Sequence, residues 1–291
     1  MTHAVATLST INAIQDLKVF LFTLDLFNPV KPTVYILCDS KTEAALDASL
    51  YSGPMHINAG LDRYGEVSRK KMTGQRGTTY KTQWEDFMME KATVIEQALT
   101  KEPAVFFFDS DICFLGPLPH IPKDAKIAVS PHMIKPRDED RFGKFNAGFM
   151  WTNDKRVPNM WRKASHTSRF FDQAALEDVV NNFQPENVYE FPKQNNYGWW
   201  RMYQSTESSI NQQKEWSIIR SAAAAAAGAT AGISVDGEQL LSIHTHWSET
   251  VDLTTRHFNL FVYNFLIRLG DHPQAKALYN FLTINTNVAK N

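Results

Sequence analysis

The chain has 291 residues, of which 43% are apolar, and it carries 30 Lys and Arg against 31 Asp and Glu. That length suits one large α/β domain or two small ones, and that apolar share excludes a mainly disordered chain. A formal net charge of -1 excludes nucleic-acid or membrane-surface binding through bulk charge, so any anionic ligand must be met by a local site.

Ala4-Val-Ala-Thr-Leu8 is an apolar run of strand length. From Ile11 to Phe27, apolar residues at Ile11, Ile14, Leu17, Leu21 and Leu24 follow helical spacing, and Pro29 and Pro32 end the run. Thr33-Val-Tyr-Ile-Leu-Cys38 is β-branched and apolar, a buried strand that stops at Asp39-Ser40. This strand–helix–strand opening predicts a right-handed parallel crossover. Leu61 to Lys81, with Arg63, Arg69, Lys70, Lys71, Arg76 and Lys81, reads as a basic loop able to move. Trp84 to Leu99 is an amphipathic helix by spacing. Ala104-Val-Phe-Phe-Phe108 is apolar at every position, which predicts a central parallel strand covered on both faces. Open α/β sheets bind ligands beyond the carboxyl ends of their strands, and Asp39 and Asp109 both stand at such ends.

Lys126 to Ser130 and Ala147 to Trp151 form a second predicted strand pair, followed by a helix from about Asp172 to Asn181. Between Arg220 and Gly232 an Ala-rich stretch reads as a flexible connection. Leu240-Leu-Ser-Ile243 is a short apolar run ending at His244, and Phe258 to Leu269 is a closing amphipathic helix. Cys38 and Cys113 lie inside strand-like runs, as small core residues rather than a disulfide or a zinc site. Met1 to Thr10 lacks a basic region followed by a long apolar core, and no run reaches the roughly 18 apolar residues that span a bilayer. A cytoplasmic protein without a transmembrane segment is expected.

The sharpest chemical signal is Asp109-Ser110-Asp111. Two carboxylates at i and i+2, just past a buried strand, can reach one hard cation, and Mg²⁺ or Mn²⁺ is typically held by one or two carboxylates plus substrate phosphates. Asp and Ser are also ordinary turn residues; the apolar runs on both sides favour the metal reading. On an extended chain His244 and His246 point to one face, so either could ligate the ion, and His244 is preferred because it ends the apolar run. Asn146-Ala-Gly148 fits a turn as well as a binding strand, and Asp172 could simply cap its helix. Trp199, Trp200 and Tyr203 suit either a core or a platform for a sugar ring.

In order and spacing, these segments from Val5 to Trp247 resemble the GT-A fold glycosyltransferases, and more narrowly the glycogenin-like retaining enzymes. The resemblance implies a Rossmann-like α/β fold with a mixed, mostly parallel central sheet flanked by helices. It implies a single domain over residues 1–291, with a nucleotide- and metal-binding half to about residue 115 and a donor-sugar and acceptor half beyond it. It implies that Thr7, Leu8, Asp39, Lys91, Asp109 and Ser110 bind the donor nucleotide, and that Asp109, Asp111 and His244 or His246 hold Mn²⁺ or Mg²⁺. Asn146, Asp172 and Gln173 would orient the donor sugar. The implied partners are a UDP- or GDP-sugar donor and a glycan, lipid or protein acceptor, with no nucleic acid. The sequence departs from the family at its end: His244-Thr-His-Trp-Ser-Glu249 lacks the Lys-Pro-Trp whose Lys contacts the diphosphate. Arg76, Lys81 or Arg256 could replace it. If the enzyme inverts instead, Glu207 or Glu249 would have to act as base. Two rival readings are a haloacid-dehalogenase-type phosphatase, with the first Asp as nucleophile, and a catalytically inactive sugar-binding module.

Overall fold

The computed structural model describes residues 4–219, 232–270 and 272–288. These sort into two compact units that exchange the chain: residues 4–14, 30–110 and 120–191 form the first, and residues 15–29, 111–119 and the described part from 192 onward form the second. The strands in chain order are β1 (Ala4–Ser9), β2 (Val34–Cys38), β3 (Met55–Asn58), β4 (Val105–Phe108), β5 (Ile112–Phe114), β6 (Ile127–Pro131) and β7 (Phe145–Thr152). They continue with β8 (Val188–Glu190), β9 (Tyr197–Gly198), β10 (Trp216–Ile219), β11 (Gly232–Val235), β12 (Glu238–Gln239) and β13 (Ser242–His244).

The first unit is built on a seven-stranded sheet in the order β3-β2-β1-β4-β7-β6-β8. Strands β3, β2, β1 and β4 run parallel, as do β6 and β8, whereas β7 is antiparallel to both β4 and β6. The sheet is therefore mixed and mostly parallel, as expected. Every residue of β4 is buried, again as expected, but only one of its neighbours is parallel. An unbroken apolar run reports cover on both faces and carries no information on neighbour direction. The helix Gln83–Leu99 buries Phe87, Ala92, Ile95 and Leu99 in a core shared with Ala4, Ala6 and Leu8 of β1 and Val105 and Phe107 of β4. Thr82 caps this helix by accepting from the Glu85 amide at 3.2 Å, a contact worth about 1 kcal/mol.

The basic segment from Leu61 to Lys81 is more ordered than a mobile loop. It contains the short helix Arg69–Gly74, capped by Ser68, and it buries Leu61, Tyr64 and Met72 in the core. Its last residues close through a bridge between Arg76 and Thr82. The buried Asp86 carboxylate accepts from the amides of Thr78, of Thr79 at 3.0 Å and of Tyr80 at 2.8 Å. A run of basic side chains hides this, because the order comes from one acid on the following helix satisfying three backbone donors.

The second unit holds two three-stranded sheets, β5-β13-β9 and β10-β11-β12. The helices Leu253–Leu269 and Pro273–Asn285 contribute Phe258, Val262, Leu266, Leu278 and Leu282 to its core, beside Val19, Tyr197, Trp216 and Trp247. The closing helix starts five residues before Phe258 because Asp252 caps it, accepting from the Thr255 amide at 2.9 Å. The strand at the run Leu240 to Ile243 begins only at Ser242 and includes His244. Cys38 and Cys113 are buried free thiols. The Ala-rich stretch lies outside the described residues except for Gly232, the first residue of β11. Among the described residues no helix is long and apolar enough to cross a membrane.

Candidate active site

In the first unit the site residues gather at the carboxyl end of β4. Strand β7 departs there from its pairing with β6: Val129 pairs with Met150, but the next residue, Ser130, pairs with Asn146. Ala147, Gly148 and Phe149 thus bulge, a device that re-aims backbone groups beside functional sites. The Asn146 Oδ1 accepts from the Gly148 amide at 3.1 Å and closes the bulge, while the Gly148 carbonyl accepts from the Asp109 amide at 2.9 Å. The Ala147 carbonyl accepts from the Lys91 ammonium at 3.4 Å.

Lys91 is the centre of this cluster. It is buried on the helix Gln83–Leu99, with Nζ 3.0 Å from an Asp109 oxygen and 3.0 Å from Asp172 Oδ2. Burial alone would push the ammonium down, but Asp109 and Asp172 outweigh it and hold its pKa above the usual lysine value. Burial pushes the Asp172 carboxyl up, against the pull of Lys91. Asp172 lies in the first turn of the helix Phe171–Val180, whose N-cap position is Phe170. The preceding Phe171 is left-handed at φ 44°, a strained backbone of the kind that persists where its surroundings dictate it. Gln173 donates to the Phe142 carbonyl at 2.9 Å.

Elsewhere in this unit, Thr7 and Leu8 pair with Ile36 and Leu37 across β1 and β2, and the buried Thr7 Oγ1 has no hydrogen-bond partner. Asp39 stands at the end of β2, but its carboxylate is committed. It accepts from the amides of Ile11 at 2.7 Å and of Lys41 and Thr42 at 3.1 Å each. Ser110 is buried in the turn after β4. Arg76 and Lys81 line a cavity of about 480 Å³ with Tyr80 and His166.

In the second unit the register of β13 against β5 decides the geometry. His244 pairs with Ile112, and the Thr245 amide donates to the Asp111 carbonyl at 3.1 Å. His244 Nε2 therefore lies 3.0 Å from Asp111 Oδ1, while His246 Nε2 lies 3.5 Å from Oδ2 of the same carboxylate. Each imidazole is held from behind. His244 Nδ1 is 3.3 Å from the side-chain oxygen of buried Asn196, and Trp200 packs edge-on against its ring at 5.0 Å. His246 Nδ1 is 2.9 Å from Asp16 Oδ2. Burial would raise the Asp111 carboxyl, but the imidazoles of His244 and His246 hold it below the usual carboxylate range.

The donor chemistry fits a divalent cation. With each Nδ1 turned to an oxygen of Asn196 or Asp16, each Nε2 is the nitrogen left facing Asp111. A carboxylate and imidazole nitrogens brought to one spot are ligand types that a divalent cation takes. Asp111 and His244 are therefore potential metal ligands, and Asp109 precedes Asp111 by two residues in the chain.

No protein-family model matches the sequence, and no curated protein matches it. Solved structures do. The apo-form glycosyltransferase GlyE of Streptococcus pneumoniae TIGR4 matches with TM-score 0.52 and 12% identity, over 99% of this chain and 62% of that one. The apo bifunctional glycosyltransferase WbbM matches with TM-score 0.54 and 11% identity, over 96% of this chain and 51% of that one. Apo mouse xyloside xylosyltransferase 1 covers only 69% of this chain, at TM-score 0.48, 13% identity and 90% of its own length.

The chain has the GT-A glycosyltransferase fold. It spans about half to two-thirds of the length of WbbM and GlyE. At such identities the likeness establishes the fold, and the function must be argued from the site.

Within this GT-A fold the predicted residues gather as two sets. Lys91, Asp109, Asn146 and Asp172 cluster in the first unit, and Asp111, His244 and His246 cluster in the second. Thr7 and Leu8 pair with β2 instead, Asp39 accepts backbone amides, and Gln173 donates to the Phe142 carbonyl. Trp200 belongs to the wall around His244. Glu249 accepts the amides of Thr250, Val251 and Asp252, at 2.7, 2.6 and 3.2 Å. Sequence reasoning missed Asp16. The available signal was an acid between Ile14 and Leu17 in a helix that is otherwise apolar around them.

Proposed function

We propose that this chain transfers a sugar from a nucleoside-diphosphate donor to an acceptor hydroxyl, with retention at the anomeric carbon and with a divalent cation held by Asp109, Asp111 and His244. The observation that carries this reading is the Asp111 carboxylate facing two back-bonded imidazoles, in a chain of the GT-A fold. Mn²⁺ or Mg²⁺ would neutralise charge growing on the diphosphate leaving group.

The chain's own residues supply binding and orientation. Lys91 compensates Asp109 and fixes Asp172, so that neither carboxylate drifts. Asp172, Gln173 and Asn146 hold the donor sugar, and Thr7, Leu8, Asp39 and Ser110 frame its nucleotide, in the roles the family resemblance implies. Positioning of this kind can supply much of the barrier lowering in a group transfer. UDP- and GDP-sugars are the donor classes, and a glycan, lipid or protein hydroxyl is the acceptor. The rival phosphatase reading draws no support from the fold likeness.

A thermal-shift screen of nucleoside diphosphates and nucleotide-sugars, with and without Mn²⁺, tests the proposal. A donor should raise the melting temperature in a metal-dependent way, since ligand binding stabilises by mass action. Asp111→Asn should abolish that shift, whereas a sugar-binding module without catalysis would keep its sugar affinity. If no nucleotide shifts the wild type with metal present, the proposed function is wrong. NMR of the product anomer then checks retention; inversion would move attention to Glu207 and Glu249.

A further inference from the structure

We infer that the cavity lined by Arg76, Lys81 and His166 takes the carboxylate or phosphate of an acidic sugar, so that the acceptor of the proposed transfer is an anionic glycan. This inference rests on the transferase reading above for the role of the bound sugar, and it names the acceptor class.

The cavity measures about 480 Å³ and lies wholly within the first unit. Ligand sites usually occupy about 300–1,000 Å³. Arg76 and Lys81 stand on its wall, and neither has an ion partner among the described residues. Glu85, the one acid on the described wall, accepts the Lys81 backbone amide at 2.8 Å and pairs with neither cation. By contrast Arg63, Arg162 and Arg169 of the same unit are paired with Glu90, Glu96 and Glu177. The wall therefore keeps an excess of positive charge. An arginine fork matches a carboxylate or phosphate bidentately, and a lysine adds a point charge.

The two cations sit on a turn that is fixed before any ligand arrives. Arg76 bridges to Thr82, and the Gly77 amide donates to the Lys81 carbonyl at 3.3 Å. A Cβ at Gly77 would lie 2.5 Å from the Tyr80 carbonyl oxygen and 2.6 Å from that of Thr82, so only glycine fits there. Asp86 draws the amides of Thr78, Thr79 and Tyr80 onto its carboxylate. The Tyr80 ring stacks on His166 at 4.7 Å, and its hydroxyl donates to the Arg162 carbonyl at 3.2 Å, which ties the turn to the opposite wall. Binding therefore orders little backbone. Tyr80 and Phe171 add aromatic surface of the kind that packs on a sugar ring. Phe171, left-handed at φ 44°, directly precedes Asp172, whose carboxylate meets Lys91 at 3.0 Å. The cavity thus adjoins the carboxylate assigned above to the donor sugar, and it includes none of the nucleotide residues Thr7, Leu8 and Asp39. A ligand beside the transferred sugar, away from the base, is the acceptor.

Calorimetric titration of the full chain in metal-free buffer with glucuronate, glucose 6-phosphate and glucose tests this without any activity assay. At least one acid should bind, and which one does distinguishes carboxylate from phosphate. Glucose should bind at least about tenfold more weakly, the weight of one charge-assisted hydrogen bond. Arg76→Gln and Lys81→Gln should each weaken acid binding about tenfold and leave glucose unchanged. Added salt should weaken the acids alone, because both cations are exposed. Lys81→Glu, which puts a second acid on the wall with Glu85, should abolish acid binding. Equal affinity for glucose and the acids, or acid affinity untouched in Arg76→Gln and Lys81→Gln, overturns the inference. So does inorganic phosphate binding as tightly as glucose 6-phosphate, since the cavity would then hold an ion without a sugar. A fall in Mn²⁺-dependent UDP or GDP affinity in these variants would give the cations to the donor diphosphate, and overturns it too. If nucleotides bind and neither acid does, only this inference falls. If an acid binds and no nucleotide does, the transferase reading falls and the acidic-sugar site stands.

Discussion

Asp109 and Asp111 are separated by a single serine, yet their electrical surroundings are opposite in kind. Asp109 shares the Lys91 ammonium with the buried Asp172. Asp111 faces two imidazoles, each held from behind by Asn196 or Asp16. The contrast teaches that two carboxylates of one motif can be held by different partners. Asp109 has an ammonium beside it, whereas Asp111 is met by imidazoles.

Three experiments press on that contrast, in order of expected effect. Lys91→Met should lower unfolding stability by about 3–5 kcal/mol, the usual cost of stranding a buried partner charge, as a fall in the urea midpoint. A loss below about 1 kcal/mol, within the range of exposed ion pairs, would mean that Lys91 is not the compensating charge. Asp111→Asn should cost only about 1 kcal/mol, since the amide keeps one acceptor and loses one charge-assisted contact. A cost as large as that of Lys91→Met would erase the distinction between the two clusters.

The smallest effect lies in the pH dependence of stability. Lys91 has a raised folded value, so its contribution is full below the unfolded lysine value of 10.5 and is lost as pH climbs through the folded one. Burial pushes the thiols of Cys38 and Cys113 up to about 12, and their contribution likewise holds below 9.0 and fades above it. Asp111 has a depressed value, so its contribution is present above 3.8 and is lost as pH falls. Urea midpoints should stay level from about pH 7 to pH 9 and fall beyond. The alkaline fall should shrink in Lys91→Met, and the Asp111 contribution to the acid fall should vanish in Asp111→Asn. A Lys91→Met variant with an undiminished alkaline fall would disconnect Lys91 from it.

Much of the first unit was legible in the chain because its strands are continuous apolar runs and its long helix keeps one apolar stripe. Ala4 to Leu8, Thr33 to Cys38 and Trp84 to Leu99 all fall within a residue or two of the observed elements. The segment from Leu61 to Lys81 was misread because its order depends on Asp86, beyond its end, gathering three amides. The antiparallel neighbour of β4 was invisible because burial has no direction. In the site, Lys91 and Asp172 were each named, but their contact joins two helices far apart in the chain. Asp16 was missed altogether.

The amino-acid sequence by itself determined which segments are buried, where the carboxylates stand at a strand's end, and that Asp109 and Asp111 must stay close through two peptide units. Tertiary structure alone decided what each carboxylate meets. The one-residue register of β13 on β5 brings His244 to Asp111, and Asp16 reaches His246 across 230 residues of chain. Contacts of that kind depend on packing and strand pairing, which no local pattern encodes. That is why the motif is readable as a metal signal, while the ammonium beside one carboxylate and the imidazoles beside the other are not.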